Sequence, residues 1–212
     1  MDGLKTEAAL LGAAIAVVAS CSTAPVPGEY VALEAGRRWT YEVFEGEQSR
    51  RIAMIAVDGD VRELDGRRTD YDFVFGTLDT MDHMGTKSIY AMPATGPREF
   101  YFDGWDWRLG HEPPVVLVSR GDREWNWEGT LEFDDFEGPA RATLRMDGPV
   151  SVVVPAGAFD AYRIRAIYEP CDLAITRWFV RGVGLVRMDV KSDGIDRGVR
   201  LLAWQDAAAP AP

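Results

Sequence analysis

Apolar and polar side chains alternate one by one over much of this chain. Over residues 125–133, Trp125, Trp127, Leu131 and Phe133 fall on one side, and Asn126, Glu128, Thr130 and Glu132 on the other. Successive side chains of an extended strand point to opposite faces, so this period of two predicts a strand with one face buried. The same alternation marks Trp39, Tyr41 and Val43; Tyr71, Phe73 and Phe75; Ala142, Leu144 and Met146; and Tyr162, Ile164, Ala166 and Tyr168. Residues 150–154 are β-branched except for Ser151, which predicts a more central strand.

Turn chemistry falls between these runs. Asp58-Gly59, Asp65-Gly66 and Asp103-Gly104 each stand where a run ends. Asp103-Gly104 separates Phe100-Tyr101-Phe102 from Trp105-Asp106-Trp107, the pattern of a two-residue hairpin whose glycine takes a positive φ. Glu45-Gly46, Pro155-Ala156-Gly157 and Gly182-Val183-Gly184 punctuate the remainder. No stretch after residue 30 has the 3.6-residue period of an amphipathic helix.

The N-terminus differs in kind. Residues 8–19 are an uninterrupted apolar run. A helix that spans a bilayer needs about 20 such residues, whereas a signal-peptide core needs fewer. Val18-Ala19-Ser20-Cys21 follows at once and resembles the lipobox of bacterial lipoproteins. That resemblance implies cleavage before Cys21 and lipid on its thiol, with acyl chains that hold the protein to a membrane. Lys5 is accompanied by Asp2 and Glu7, so the leading segment is less positive than the lipoprotein pattern. Ser22, rather than aspartate, follows Cys21, which implies delivery to an outer membrane, facing the periplasm, in an organism with two membranes.

The expected organisation is a signal peptide over 1–20, a lipidated tether over 21–29, a single β domain over 30–205 and an Ala/Pro tail over 206–212. The expected fold class is all-β: an antiparallel meander of hairpins curled into an open barrel or half-barrel, preceded by a signal-peptide helix.

Charge narrows the partners. The net charge is −11, from 34 acidic and 23 basic residues. Loss of residues 1–20 makes it one unit less negative. Such a chain repels both a phosphate backbone and anionic headgroups, so nucleic acid is not an expected partner. Two cysteines occur, and lipid on Cys21 leaves Cys171 without a partner in the chain. Cys171 follows Glu169-Pro170 and is expected in a turn as an inert thiol, since no basic side chain adjoins it.

Four segments together resemble the TapB-like group of largely uncharacterised bacterial exported proteins: YVALEAGRRWTY from Tyr30, PPVVLVSRGDREWNW from Pro113, VVVPAGAFDAY from Val152 and WFVRGVGLV from Trp178. The resemblance covers most of residues 30–190 and implies an all-β envelope domain. A more distant similarity is to the curved-sheet lipoprotein carriers LolA and LolB, which hold acyl chains on a concave face. Neither resemblance supplies catalytic residues.

Candidate chemistry is sparse. Asp79, Asp82 and His83 share a Gly-containing loop, but their spacing matches no metal motif, and a solvated loop is the expectation. His111-Glu112 reads as a loop before a strand. Asp134-Asp135 with Glu137 reads as an acidic turn, and Asp189, Asp193 and Asp196 likewise lack the pattern of a calcium loop. No nucleophile elbow, phosphate loop or dinucleotide fingerprint occurs. No metal, cofactor or catalytic activity is therefore expected, and a hydrolase-type enzyme ranks third among the readings. The first reading is a binding module for a lipid-like ligand, with Trp39, Tyr41, Trp105, Trp107, Trp125 and Trp127 lining a concave aromatic face. The second is a scaffold that meets another envelope protein through its sheet. A filled core favours the second over the first.

Overall fold

Alternation of the kind seen in residues 125–133 repeats around the molecule. A computed structural model of the chain describes residues 30–32, 36–64, 67–77, 87–91, 97–103, 107–119 and 121–206, with side chains described outside 55–91 and 100–106. The elements are β1 (Arg38–Glu45), β2 (Gln48–Leu64), β3 (Arg67–Thr77), β4 (Lys87–Ala91), β5 (Arg98–Asp103), β6 (Arg108–Val116), β7 (Glu124–Phe133), β8 (Phe136–Val154), β9 (Gly157–Glu169), β10 (Leu173–Val180), β11 (Gly184–Ser192) and β12 (Ile195–Gln205). The expected all-β antiparallel meander is what forms. The expected signal-peptide helix over 1–20, the tether and the tail after Asp206 lie outside the described residues.

Each strand pairs with the next in sequence, and β1 also pairs with β12, from Arg38 opposite Gln205 to Glu45 opposite Arg197. The ladder thus returns to its start as a closed barrel. β1 is hydrogen-bonded on both sides, by β12 and by β2. Closure removes the exposed strand edges that would template aggregation. The ladder is short between β6 and β7, where it runs only from Leu109 opposite Phe133 to Glu112 opposite Thr130. Pro113 and Pro114 follow there, and proline has no N–H to donate to a ladder. Two indoles cross the gap instead: Trp127 Nε1 donates to the Pro113 carbonyl at 2.6 Å and Trp125 Nε1 to the Val116 carbonyl at 2.9 Å.

Among the described residues, inward positions pack into one core. Tyr41, Leu109, Leu131, Leu144, Ile164 and Val186 are all fully buried members of one core. Because turns of a meander alternate between ends, the β1–β2, β7–β8, β9–β10 and β11–β12 turns share one end. The β6–β7, β8–β9 and β10–β11 turns share the other. Residues 30–32 lie across that second end: Tyr30 meets Tyr162 edge-on at 4.9 Å, and Val31 is buried. Arg37 ties this cap down by donating to the Gly182 carbonyl at 2.6 Å and to Asp206 at 2.9 Å.

Several local expectations are corrected. Asp58-Gly59 lies inside β2, where a register shift between Asp58 and Val61 absorbs it without ending the strand. Asp103 pairs with Arg108, so that connection takes the four residues 104–107 rather than Asp103-Gly104 alone. Residues 150–154 are not a central strand but the tip of the β8–β9 hairpin. They pair with residues 157–161 of β9, beyond the last pairing of β8 with β7 at Glu124, and Val153 is 73% exposed. β-branching there serves local extension, not double-sided burial. Glu45-Gly46, Pro155-Ala156-Gly157 and Gly182-Val183-Gly184 do mark turns.

Candidate functional site

The alternation of β10 places Leu173, Ile175, Arg177 and Phe179 on the inner face, so a guanidinium enters the core. It meets Glu99 of β5 in a buried ion pair, with both side chains about 1% exposed. His111 of β6 and Tyr168 of β9 join them, with His111 Nε2 2.8 Å from the Tyr168 hydroxyl. His111 Nδ1 stands 3.9 Å from Glu99 Oε1. The Arg177 charge also acts on the Tyr168 hydroxyl. Which of His111 Nε2 and the Tyr168 hydroxyl donates is set by the imidazole tautomer. Arg177, Tyr168, His111 and Glu99 thus gather in one buried cluster whose charges cancel.

Burial sets the protonation states. Burial, and secondly the Arg177 charge, hold the His111 pKa well below its ordinary value, so the imidazole is neutral. Burial pushes the Tyr168 phenol far up, and that of Tyr41 likewise. Trp127 packs edge-on to His111 at 5.2 Å and contacts Tyr168 at 6.0 Å. Chemically, the cluster can fix orientation across the barrel. The Glu99 and Arg177 charges pair with each other, which leaves no net charge to attract a ligand.

His111 was expected in a loop. It lies instead in β6, opposite Leu131, because the ladder break comes two residues later at the prolines. Glu99 and Arg177 were not singled out from the sequence, although Arg177 stands in the apolar register of its strand, which is the signal of a buried partner.

The aromatic residues expected on a concave face are distributed differently. Trp39, Tyr41, Trp107 and Trp127 are buried, at 6% exposure or less. Trp39 Nε1 donates to the Val183 carbonyl at 2.6 Å and the Tyr41 hydroxyl to the Leu185 carbonyl at 2.7 Å. Trp125 is half-buried, and Trp105 lies outside the described residues. These side chains close the interior and cap its end; they do not line an empty face together.

A groove of about 450 Å³ opens on the outer surface of β1, β11 and β12, lined by Glu42, Phe44, Arg187, Asp189, Lys191 and Arg200 among others. Its walls follow from register: Glu42 opposes Arg200, which opposes Arg187, which opposes Trp178. Arg200 stacks on Phe44 at 4.5 Å and Arg187 on Trp178 at 4.7 Å. Asp189 accepts two hydrogen bonds from Arg187, which together with the nearby charge raise the Arg187 pKa.

The acidic segments gather no ligand set: Asp189 pairs with Arg187, Asp196 with Lys191, and Asp134 with Arg197. Among the described residues no His, Cys, Asp and Glu side chains group as a metal site. The loop with Asp79, Asp82 and His83 lies outside them. Cys171 sits in the β9–β10 turn, half-buried, and burial pushes its thiol pKa up, as expected of an inert thiol.

No protein-family model matches the chain, and no curated protein matches it. Two solved structures align with it. One is a "putative lipoprotein" from Parabacteroides distasonis, 9% identical with a TM-score of 0.44. The other is a "putative exported protein with YmcC-like fold" from Bacteroides fragilis, 10% identical with a TM-score of 0.46. Each alignment covers 84% of this chain and 99% of the other. At that distance the likeness transfers neither activity nor ligand.

Proposed function

We propose that this chain is a lipid-anchored envelope protein, held at the membrane through acyl chains on Cys21, whose barrel is a non-catalytic scaffold for another envelope protein. The observation that carries the scaffold reading is the packing of Trp39, Tyr41, Trp107 and Trp127 into the barrel interior. Side chains that fill a core cannot also present a concave face to an acyl chain. The surface left for recognition is the outside, where the β1–β11–β12 groove combines alternating charges with two arginine–aromatic stacks, residue types that dominate binding at interfaces. The anchor rests on the lipobox Val18-Ala19-Ser20-Cys21, and the absence of aspartate at Ser22 favours the outer membrane. The four motifs that resemble the TapB-like group favour the cell envelope.

Two measurements test this. Metabolic labelling with an alkyne fatty acid is expected to mark the wild-type chain and to be lost in Cys21→Ser; label retained in that variant removes the anchor. Native mass spectrometry of residues 22–212, exported behind a conventional signal peptide and purified gently, is expected to show the bare polypeptide. A discrete lipid mass that leaves on denaturation would return the apolar-ligand reading to first place and displace the scaffold.

A further inference from the structure

Charge is distributed unevenly between the two ends of the barrel. The turns β1–β2, β7–β8, β9–β10 and β11–β12 carry Glu47, Asp134, Asp135, Asp172 and Asp193, all exposed, and no Lys or Arg. Arg197 lies near this end, engaged by Glu45 and Asp134. At the opposite end the described charges in the turns are Asp122, Arg123 and Arg181. The chain enters at that second end, since Tyr30 packs on Tyr162 and Val31 lies against Gly184. Only eight residues, 22–29, separate Cys21 from Tyr30. Even fully extended, that stretch reaches about 30 Å, so an acylated Cys21 keeps this end close to the bilayer.

Among the described residues, the same end carries the most exposed large apolar side chain. The β8–β9 hairpin folds over the barrel mouth: Val152 and Val154 point inward, and the Ala156 amide donates to the Leu201 carbonyl of β12. Val153 points outward at 73% exposure, with Pro155 and Ala158 exposed beside it. Phe159 and Trp204, in ring contact at 5.6 Å, are half-buried at the same mouth.

We infer that this end is a membrane-docking face: the barrel stands on the bilayer that holds its own anchor, with the β8–β9 tip against the lipid headgroups and the acidic end directed away. The inference rests on the anchor reading above. Anionic headgroups repel the acidic end within a Debye length and leave the tethered end as the face of least repulsion. The apolar tip then enters the interfacial layer, while the tether limits how far the barrel can turn.

The test uses the full acylated protein in vesicles of phosphatidylethanolamine and phosphatidylglycerol. Nitroxide is placed at Val153→Cys or at Asp135→Cys, each with Cys171→Ser, and collisions with dissolved oxygen and with a water-soluble nickel chelate are compared. The expected result is loss of nickel access at 153, a gain in oxygen access there, and free nickel access at 135. Equal nickel access at both positions, or protection at 135, overturns the docking face. Intact mass on the same samples separates the two readings: an acylated chain with equal access fails the docking face alone, whereas a chain without acyl mass fails the anchor and the docking face with it. In 1 M salt the contrast is expected to shrink if charge sets the orientation; an undiminished contrast overturns the electrostatic part.

Discussion

The buried Glu99–Arg177 pair sets the sharpest expectations for single residues. Removing one member of such a pair leaves the other charged, dry and uncompensated, which costs about 3–5 kcal/mol. Glu99→Ala is therefore expected to lower the urea midpoint severely, while the double variant Glu99→Met with Arg177→Met should recover much of the loss. A double variant no better than the single would show that the two groups are not energetically coupled. His111 adds a pH dependence. Its folded pKa is depressed, so the unfolded chain, titrating near the ordinary value of about 6.5, binds the proton first. Stability is full above about pH 6.5 and falls as pH drops, by up to about 1.4 kcal/mol per pH unit, until the pH passes the folded value. Urea unfolding of wild type and His111→Gln at pH 7.5 and 5.5 measures this: the wild type should lose more between the two. Equal losses would remove His111 as the source.

Among the elements, β6 and β7 depend on an unusual join. Past Glu112 the prolines end the ladder, and β6 crosses so closely that a Cβ at Gly129 would sit 2.1 Å from the Glu112 carbonyl oxygen. Backbone on both sides has little room to yield, so Gly129→Ala is expected to cost roughly 1–3 kcal/mol, read as a lowered thermal midpoint. An unchanged midpoint would mean that the crossing is looser than described. Period 2 made β7 legible from Trp125 to Phe133, yet the partner of each indole N–H was not, because that depends on where the prolines of β6 interrupt pairing. The β8–β9 tip shows the converse: its β-branched residues correctly signalled strand, but the same composition serves a core strand and an exposed hairpin, and only its neighbours distinguish them.

At the scale of the whole molecule, closure between β1 and β12 protects both. Deleting residues 195–212 would expose the edges of β1 and β11, and the product is expected to aggregate, whereas deletion of 207–212 should leave a monodisperse protein by size-exclusion chromatography. A soluble, monodisperse barrel without β12 would show that the remaining strands close without it.

What the sequence determined by itself is local. Alternating side chains fixed strand character and inward register, glycine marked the β1–β2, β8–β9 and β10–β11 turns, and the residues before Cys21 carried the expectation of an anchor. Arg177 was legible in part, as a charge in an apolar register. Tertiary structure alone decided that the sheet closes, because whether β1 meets β12 depends on the curvature and stagger summed over every strand between them. It alone brought Glu99, His111, Tyr168 and Arg177 together, since they come from four strands and up to 78 residues of chain separate an interacting pair. It alone packed Trp39, Tyr41, Trp107 and Trp127 into one core and sorted the acidic turns of the described residues to the end opposite Tyr30. That sorting follows from the alternation of turns between the two ends, a property of the assembled meander rather than of any single segment.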